Sequence, residues 1–178
     1  MNALTPDLRD NILGTIPHLR AFAISLSGNV DQADDLVQEA LVRCLGNLDK
    51  FEVGTNLQAW LFTILRNQFL TACRKRRREV EDPDGAIAGQ LSVPPEQSSV
   101  LDLQDMEAAL RKLPIDQREA LLLVAAGGIS YEEAAQICGI RIGTIKSRVN
   151  RARVRLSGLL GEDGRECRAV AMINDVVQ

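Results

Sequence analysis

Within the stretch GTIKSRVNRAR, Thr144, Lys146, Ser147, Arg148, Asn150 and Arg151 bring six hydrogen-bonding side chains together, three of them cationic. Arginine presents a planar fork of donors that matches the two acceptors on a guanine edge. Lysine, serine, threonine and asparagine can hold phosphate oxygens or single base positions. Arg141 precedes the group, Arg153 and Arg155 follow it, and no acidic residue lies between Glu133 and Glu162. An exposed helix ordinarily mixes charge signs, because opposite charges four residues apart stabilise it. A face made only of cations and small polar groups suits a polyanion instead. The competing reading is a solvated basic face with no ligand.

Those side chains need a helix with an apolar back. At about 100° per residue, Ile142, Ile145, Val149, Ala152, Leu156 and Leu159 share one stripe. Thr144, Ser147 and Arg151 project from the opposite side, flanked by Lys146, Arg148 and Asn150. Just upstream, Ser130-Tyr131-Glu132-Glu133 has the spacing of a capping box, with Ile129 and Ala134 placed to staple it. The short helix it opens, YEEAAQIC, ends at Gly139. Two helices joined by so short a turn cross steeply and closely. Ala135 allows the approach, Gly139 tolerates the positive φ of a sharp turn, and Ile145 is placed to bury against the first helix. The spacing predicts a helix-turn-helix whose second helix enters a DNA major groove. Before it, LDLQDMEAAL reads as a helix broken at Leu113-Pro114, and DQREALLLVAA as another that stops at Gly127-Gly128.

A second group of chemically capable residues lies nearer the N-terminus. Residues 31–48, DQADDLVQEALVRCLGNL, place apolar residues at 33, 36, 37, 40, 41, 44, 45 and 48. This is an amphipathic helix, capped by Asp31 and weakened at Gly46-Asn47. Asp34, Asp35, Gln38 and Glu39 cover its polar side. Acids at a helix start complement its dipole, and carboxylates on an open face also suit a basic partner. An earlier helix covers about residues 7–27 and closes at Ser27-Gly28-Asn29. After KFEVG, Thr55-Asn56-Leu57-Gln58 reads as another capping box, with Gln58 reaching back to the Thr55 amide. The helix it opens carries Leu57, Trp60, Leu61, Ile64 and Leu65 on one side and runs into RKRRR at 74–78. That basic run fits a solvated helix end, a strip of phosphate contacts or a membrane-surface patch. A membrane patch needs a large apolar face free of core duties. Ile64, Leu65 and Phe69 are already committed, so phosphate contact is preferred.

Composition frames these elements. The 178 residues carry a net charge of −3, with 46% hydrophobic but only 3% aromatic side chains, as expected of helices packed through aliphatic residues. Ten basic and nine acidic residues over 1–80 give +1; two and seven over 81–113 give −5; seven and four over 114–160 give +3; two and four over the rest give −2. Two basic or near-neutral blocks therefore flank an acidic connector. The stretch 79–100, EVEDPDGAIAGQLSVPPEQSSV, holds three prolines and two glycines without periodicity, as a flexible linker does. The expected fold is all-α: two small helical domains joined by a flexible acidic linker. There is no apolar run of about eighteen residues for a membrane span and no signal-peptide pattern at the start, so a cytoplasmic location is expected. Cys44, Cys73, Cys138 and Cys167 are scattered without metal-ligand spacing, and His18 is the only histidine. No metal site, cofactor or catalytic residue is expected. A metal-dependent nuclease would draw on Asp34, Asp35 and Glu39, but no second acidic cluster converges with them.

Taken in order, ADDLVQEALVRCL, FEVGTNLQAWLFTILRNQFL and LPIDQREALLLV, followed by GISYEEAAQICGIRIGTIKSRVNRARVRL, resemble the extracytoplasmic-function (ECF) sigma factors. These are small two-domain promoter-specificity subunits of bacterial RNA polymerase. The resemblance covers about residues 10–160, and FEVGTNLQAWLFTILRN, RRREVEDPDG and GTIKSRVNRAR are similar to the general-stress subgroup of alphaproteobacteria. Ala125-Ala126-Gly127-Gly128 is more flexible than the family pattern, and the tail after Gly161 has no counterpart in it.

The resemblance implies sigma region 2 over residues 1–78, a linker over 79–100 that threads the polymerase cleft, region 4 over 101–160, and a tail over 161–178 without an assigned role. It implies that Asp34, Asp35, Leu36, Gln38 and Glu39 dock on the polymerase clamp. It gives Gly54, Thr55, Asn56, Trp60, Arg66 and Asn67 to reading and melting the −10 element, where a base flips into a loop pocket. It gives Arg141, Thr144, Lys146, Ser147, Arg148, Asn150 and Arg151 to a −35 element of GGAAC type. The implied partners are core RNA polymerase, promoter DNA and a small anti-sigma factor that contacts both domains, with no membrane. Two other readings compete: a sigma-like decoy that sequesters an anti-sigma factor, and a helix-turn-helix repressor that binds operator duplex without polymerase. The decoy would need no basic reading face, and such decoys are fused to a receiver domain for which this chain has no room.

Overall fold

The structure, a computed structural model, describes residues 5–79, 98–125 and 127–161. Among the described residues are seven α-helices and no strand. They belong to two compact units that divide between Leu91 and Ser92. Residues 80–97 of the expected linker and 162–178 of the tail, with Cys167, lie outside the described residues. The end of that linker is helical, since α4 begins at Ser98 rather than near Leu101.

In the first unit, α1 (Pro6–Ser27) starts at Thr5, whose hydroxyl accepts from the Leu8 amide at 3.3 Å. It closes at Gly28, where φ is 69° and the amide donates to the Ile24 carbonyl. Pro17 lies inside α1 without ending it. Pro17 and Leu13, whose carbonyl loses its helical partner, are both exposed, so water can serve that carbonyl. In α2 (Val30–Gly46) the cap is Asn29, which accepts from the Gln32 amide at 3.0 Å. Asp31, expected in that role, sits inside the first turn and acts through the helix dipole instead. A 3-10 turn at Leu48–Lys50 leads to α3 (Leu57–Glu79).

The start of α3 also differs from the expected Thr55–Gln58 box. The Thr55 hydroxyl donates to the Glu52 carbonyl at 2.7 Å, and Asn56 caps the helix by accepting from the Ala59 amide at 3.2 Å. The preceding turn takes up Thr55, which moves the cap one residue on. Leu19, Phe22 and Ala23 of α1, Ala33, Ala40 and Cys44 of α2, and Leu61, Phe62 and Leu65 of α3 are buried together in the unit's core. The rings of Phe22 and Phe62 meet edge to face at 5.1 Å, the arrangement their quadrupoles favour. Gln68 is buried too, and its amide finds no partner among the described residues.

In the second unit, α4 (Ser98–Arg111) breaks before Pro114 and α5 (Ile115–Ala125) follows. Gln117, Glu119, Ala120, Leu121, Leu123 and Val124 of α5 are all buried, so this helix is enclosed on most sides. It stops at Ala125, before Gly127-Gly128. The Gly127 amide donates to Leu122 and the Ile129 amide to Leu123, closing the helix through Gly128 at φ 59°. In α6 (Tyr131–Cys138) both halves of the expected capping box are present: Ser130 accepts from the Glu133 amide, and the Glu133 carboxylate from the Ser130 amide. The last helix, α7 (Ile142–Gly161), buries Ile145, Val149, Ala152, Leu156 and Leu160. The buried stripe therefore starts one turn later than the periodicity suggests. Ile142 stands at the first helical position and stays 36% exposed, and at the far end Leu160 is buried more deeply than Leu159.

Candidate functional site

The α6–α7 junction is built by three local features. Gly139 takes φ 67° and ψ 34°, its amide reaching the Gln136 carbonyl while the Ile140 amide reaches Ala135 at 3.0 Å. A Cβ at Gly139 would meet nothing within 4 Å, so it is the left-handed backbone and not space that calls for glycine. Ala135 is 8% exposed and Ile145 fully buried, as a close helix crossing requires. The Arg141 carbonyl accepts from the Thr144 and Ile145 amides and starts α7.

With Ile145, Val149 and Ala152 buried behind it, α7 leaves Thr144, Lys146, Asn150 and Arg151 exposed on its outer side, with Arg141 exposed in the turn. Ser147 is half-buried and its hydroxyl donates to the Thr144 carbonyl at 2.9 Å, which fixes its position. The Lys146 ammonium lies 5.6 Å from the centre of the Tyr131 ring, a cation–π contact that steadies a flexible side chain. Arg148 is placed differently from the rest: its Nε lies 3.2 Å from Asp116 of α5. Six of the seven residues expected at this surface thus stand on the open face or in the turn, and Arg148 is held at its edge.

The outer side of α2 is more varied than its sequence suggests. Arg20 of α1 grips both oxygens of Asp34, at 2.6 and 3.0 Å. The guanidinium holds the Asp34 carboxyl below its usual range, chiefly through the hydrogen bond. Glu39 pairs with Arg43 one turn on, at 2.9 Å, whereas Asp35 and Gln38 are exposed and Leu36 is half-buried. Leu45, expected in the buried stripe, is 51% exposed and neighbours Val42 at 69%. Sequence reasoning missed this apolar extension because an i, i+3 pair at a helix end fits core and surface equally well. Asp35, Leu36 and Glu39 also line a groove of about 360 Å³, together with Leu26, Phe69, Ala72 and Arg76.

The loop before α3 presents Glu52 to Asn56 to solvent over a buried Phe51. The Thr55 amide donates to the Glu52 carbonyl at 3.1 Å, and Gly54 has φ 98° at the third position of this turn. Val53 is 77% exposed, an apolar tip with no counterpart in the residues expected to read DNA. Trp60 is half-buried and its ring contacts Phe51 at 5.3 Å, so it supports the loop from beneath. Arg66 is half-buried and Asn67 exposed further along α3. Arg74, Lys75, Arg76 and Arg78 are exposed near its end.

A family model described as Sigma-70 region 2 matches residues 14–79, and one described as Sigma-70, region 4 matches residues 103–156. Over 163 residues the chain is 64% identical to the ECF RNA polymerase sigma factor EcfG of Rhodopseudomonas palustris (strain TIE-1), covering 92% of this chain and 90% of that one. The chain belongs to the ECF sigma factors. This sigma factor is also similar to the sigma factor RpoE solved in complex with the anti-sigma factor NepR from Bartonella quintana, at 54% identity and a TM-score of 0.80, covering 88% of this chain and 98% of that one. A more distant likeness is CnrH in complex with the cytosolic domain of CnrY, at 29% identity and a TM-score of 0.59, covering 84% and 83%.

ECF sigma factors are transcription-initiation factors and not enzymes; they bind core RNA polymerase and promoter DNA. Among the described residues of this sigma factor no group of His, Cys, Asp or Glu could hold a metal ion, and no helix is long and apolar enough to cross a membrane. Helix α6, the turn after it and α7 as far as Leu156 fall inside the region 4 match, and the α2 face and the loop 52–56 inside the region 2 match.

Proposed function

We propose that this ECF sigma factor directs polymerase to general-stress promoters in the cytoplasm, with residues 1–78 acting on the −10 element and residues 101–160 on a −35 element of GGAAC type. The observation that carries this reading is the polar outer face of α7, backed by a fully buried Ile145 and built on a helix-turn-helix. Arg151 takes a base edge in this reading, while Thr144, Lys146 and Asn150 hold phosphates or neighbouring bases. The exposed Asp35, Gln38, Val42 and Leu45 of α2 serve core polymerase, because exposed acids beside apolar side chains suit a basic partner with an apolar centre. Val53, Gly54, Thr55 and Asn56 meet the melted −10 strand, which costs a few kcal/mol to flip and so gains from an open, shaped loop.

An anti-sigma factor holds the protein inactive in this reading. The support is that two sigma factors to which it is similar, RpoE and CnrH, were solved with NepR and with the cytosolic domain of CnrY. The test is run-off transcription with core polymerase on a GGAAC promoter. Wild type supports transcription, Asp35→Lys loses core binding, and Arg151→Ala keeps core binding but loses about 1–3 kcal/mol of −35 discrimination. Tight binding of wild type to the promoter duplex without polymerase, and no transcription with it, would establish a repressor instead.

A further inference from the structure

Arg148 is a cation of α7 that the fold sets against a carboxylate. Its Nε is 3.2 Å from Asp116 Oδ2, and the two side chains are 24% and 44% exposed. Lys146 and Arg151 on the same helix are exposed and have no carboxylate against them among the described ion pairs. Asp116 lies in the first turn of α5, whose Leu121, Leu123 and Val124 are buried, so its backbone is anchored in the unit's core. A guanidinium carries five N–H donors in one plane. An ion pair closest at Nε leaves both Nη groups for another acceptor and draws the guanidinium toward the α5 side of the helix.

The carboxylate therefore does two things to Arg148, and they act oppositely on DNA binding. It limits the side chain to one direction at the flank of the α7 face, so less freedom is lost when a correctly placed acceptor arrives. It also offsets a positive charge that would otherwise attract any phosphate. We propose that Asp116 is a specificity-determining positioning residue: it aims Arg148 at the −35 duplex and suppresses its contacts with unrelated DNA. This rests on the reading of α7 as the −35 helix.

The test uses holoenzyme reconstituted with core polymerase, on a duplex carrying a GGAAC −35 element and on the same duplex with that element scrambled. Asp116→Ala removes both the aim and the charge. Its affinity for the GGAAC duplex falls, its affinity for the scrambled duplex rises, and the ratio between them drops by about tenfold. On the scrambled duplex the slope of log K against log salt steepens by about one, the mark of one more neutralised phosphate. Asp116→Asn keeps an acceptor for Nε and lowers the ratio by about threefold, an intermediate change expected from loss of the charge alone. In an Arg148→Ala background neither substitution alters the ratio, because their effect passes through that side chain.

A ratio that Asp116→Ala leaves unchanged overturns the proposal, as does one that still changes once Arg148 is gone. Thermal unfolding of each variant separates these outcomes from loss of fold, and if the alanine variant does not fold, an unchanged ratio in Asp116→Asn overturns the proposal equally. Wild-type holoenzyme that fails to tell the two duplexes apart defeats the reading of α7 itself. Discrimination kept by wild type and by Asp116→Ala alike defeats only the role given to Asp116.

Discussion

Single side chains in this protein do more than one job, and the structure shows which job comes first. Asp34 looked like one more carboxylate on an open face, yet Arg20 holds both of its oxygens. Its folded pKa lies below the unfolded value, so the pair stabilises the first unit above the unfolded pKa and that contribution is lost as pH falls through the folded one. Asp34→Asn is accordingly expected to unfold more easily than wild type at neutral pH, with the gap closing as pH drops below about 3.9. Thermal melts across that range check it, and a gap independent of pH would mean the pair contributes nothing through its charge. Asp35, one residue on and exposed, is the better candidate for a partner surface. At this scale the types of the site residues were legible in the sequence, but their engagement was not. Arg148 and Arg151 are indistinguishable by composition, and only the approach of α5 sets one of them against Asp116.

At the scale of elements, caps and turns decide where each face begins. Asn56 both caps α3 and stands in the loop assigned to the −10 element. Asn56→Ala should cost about 0.5–2 kcal/mol of stability through the lost cap, whereas Asn56→Ser keeps a capping oxygen and most of that stability. Transcription that fails in both variants while the serine variant melts like wild type would assign the amide to DNA. Recovery of both properties in the serine variant would assign it to the cap alone. Gly139 offers a second element-scale test. Alanine fits the space but not φ 67°, so Gly139→Ala should lower stability by about 1–2 kcal/mol, seen in denaturant melts. Helix periods and the Ser130–Glu133 box were legible because they depend on neighbours three or four residues apart. The shifts of cap from Asp31 to Asn29 and from Thr55 to Asn56 were not, since adjacent Asn, Thr and Asp residues all accept amide hydrogen bonds and the turn path selects among them.

Across the whole molecule, the two units allow two functions to be damaged separately. Asp35→Lys changes the exposed side of α2 in the first unit, and Arg151→Ala the outer side of α7 in the second. The first is expected to reduce retention of core polymerase in a pull-down, and the second to leave retention intact while lowering promoter discrimination by about 1–3 kcal/mol. Equal loss of both properties in both variants would contradict this division of labour. The net charge of −3 fits it as well, because acids elsewhere in the chain oppose indiscriminate DNA binding while the cations of α7 act locally.

The sequence by itself determined the helical class, the helix-turn-helix and the types of residue on its outer face, because periodicity, capping and turn chemistry are short-range and leave a record in neighbouring letters. Tertiary structure alone decided which of the candidate residues of either unit are already engaged: Asp34 by Arg20, Arg148 by Asp116, Trp60 by Phe51. It also decided that Val42, Leu45 and Val53 face solvent. Those outcomes depend on which helix lies against which, and the partners are set by the packing of a shared core rather than by spacing along the chain.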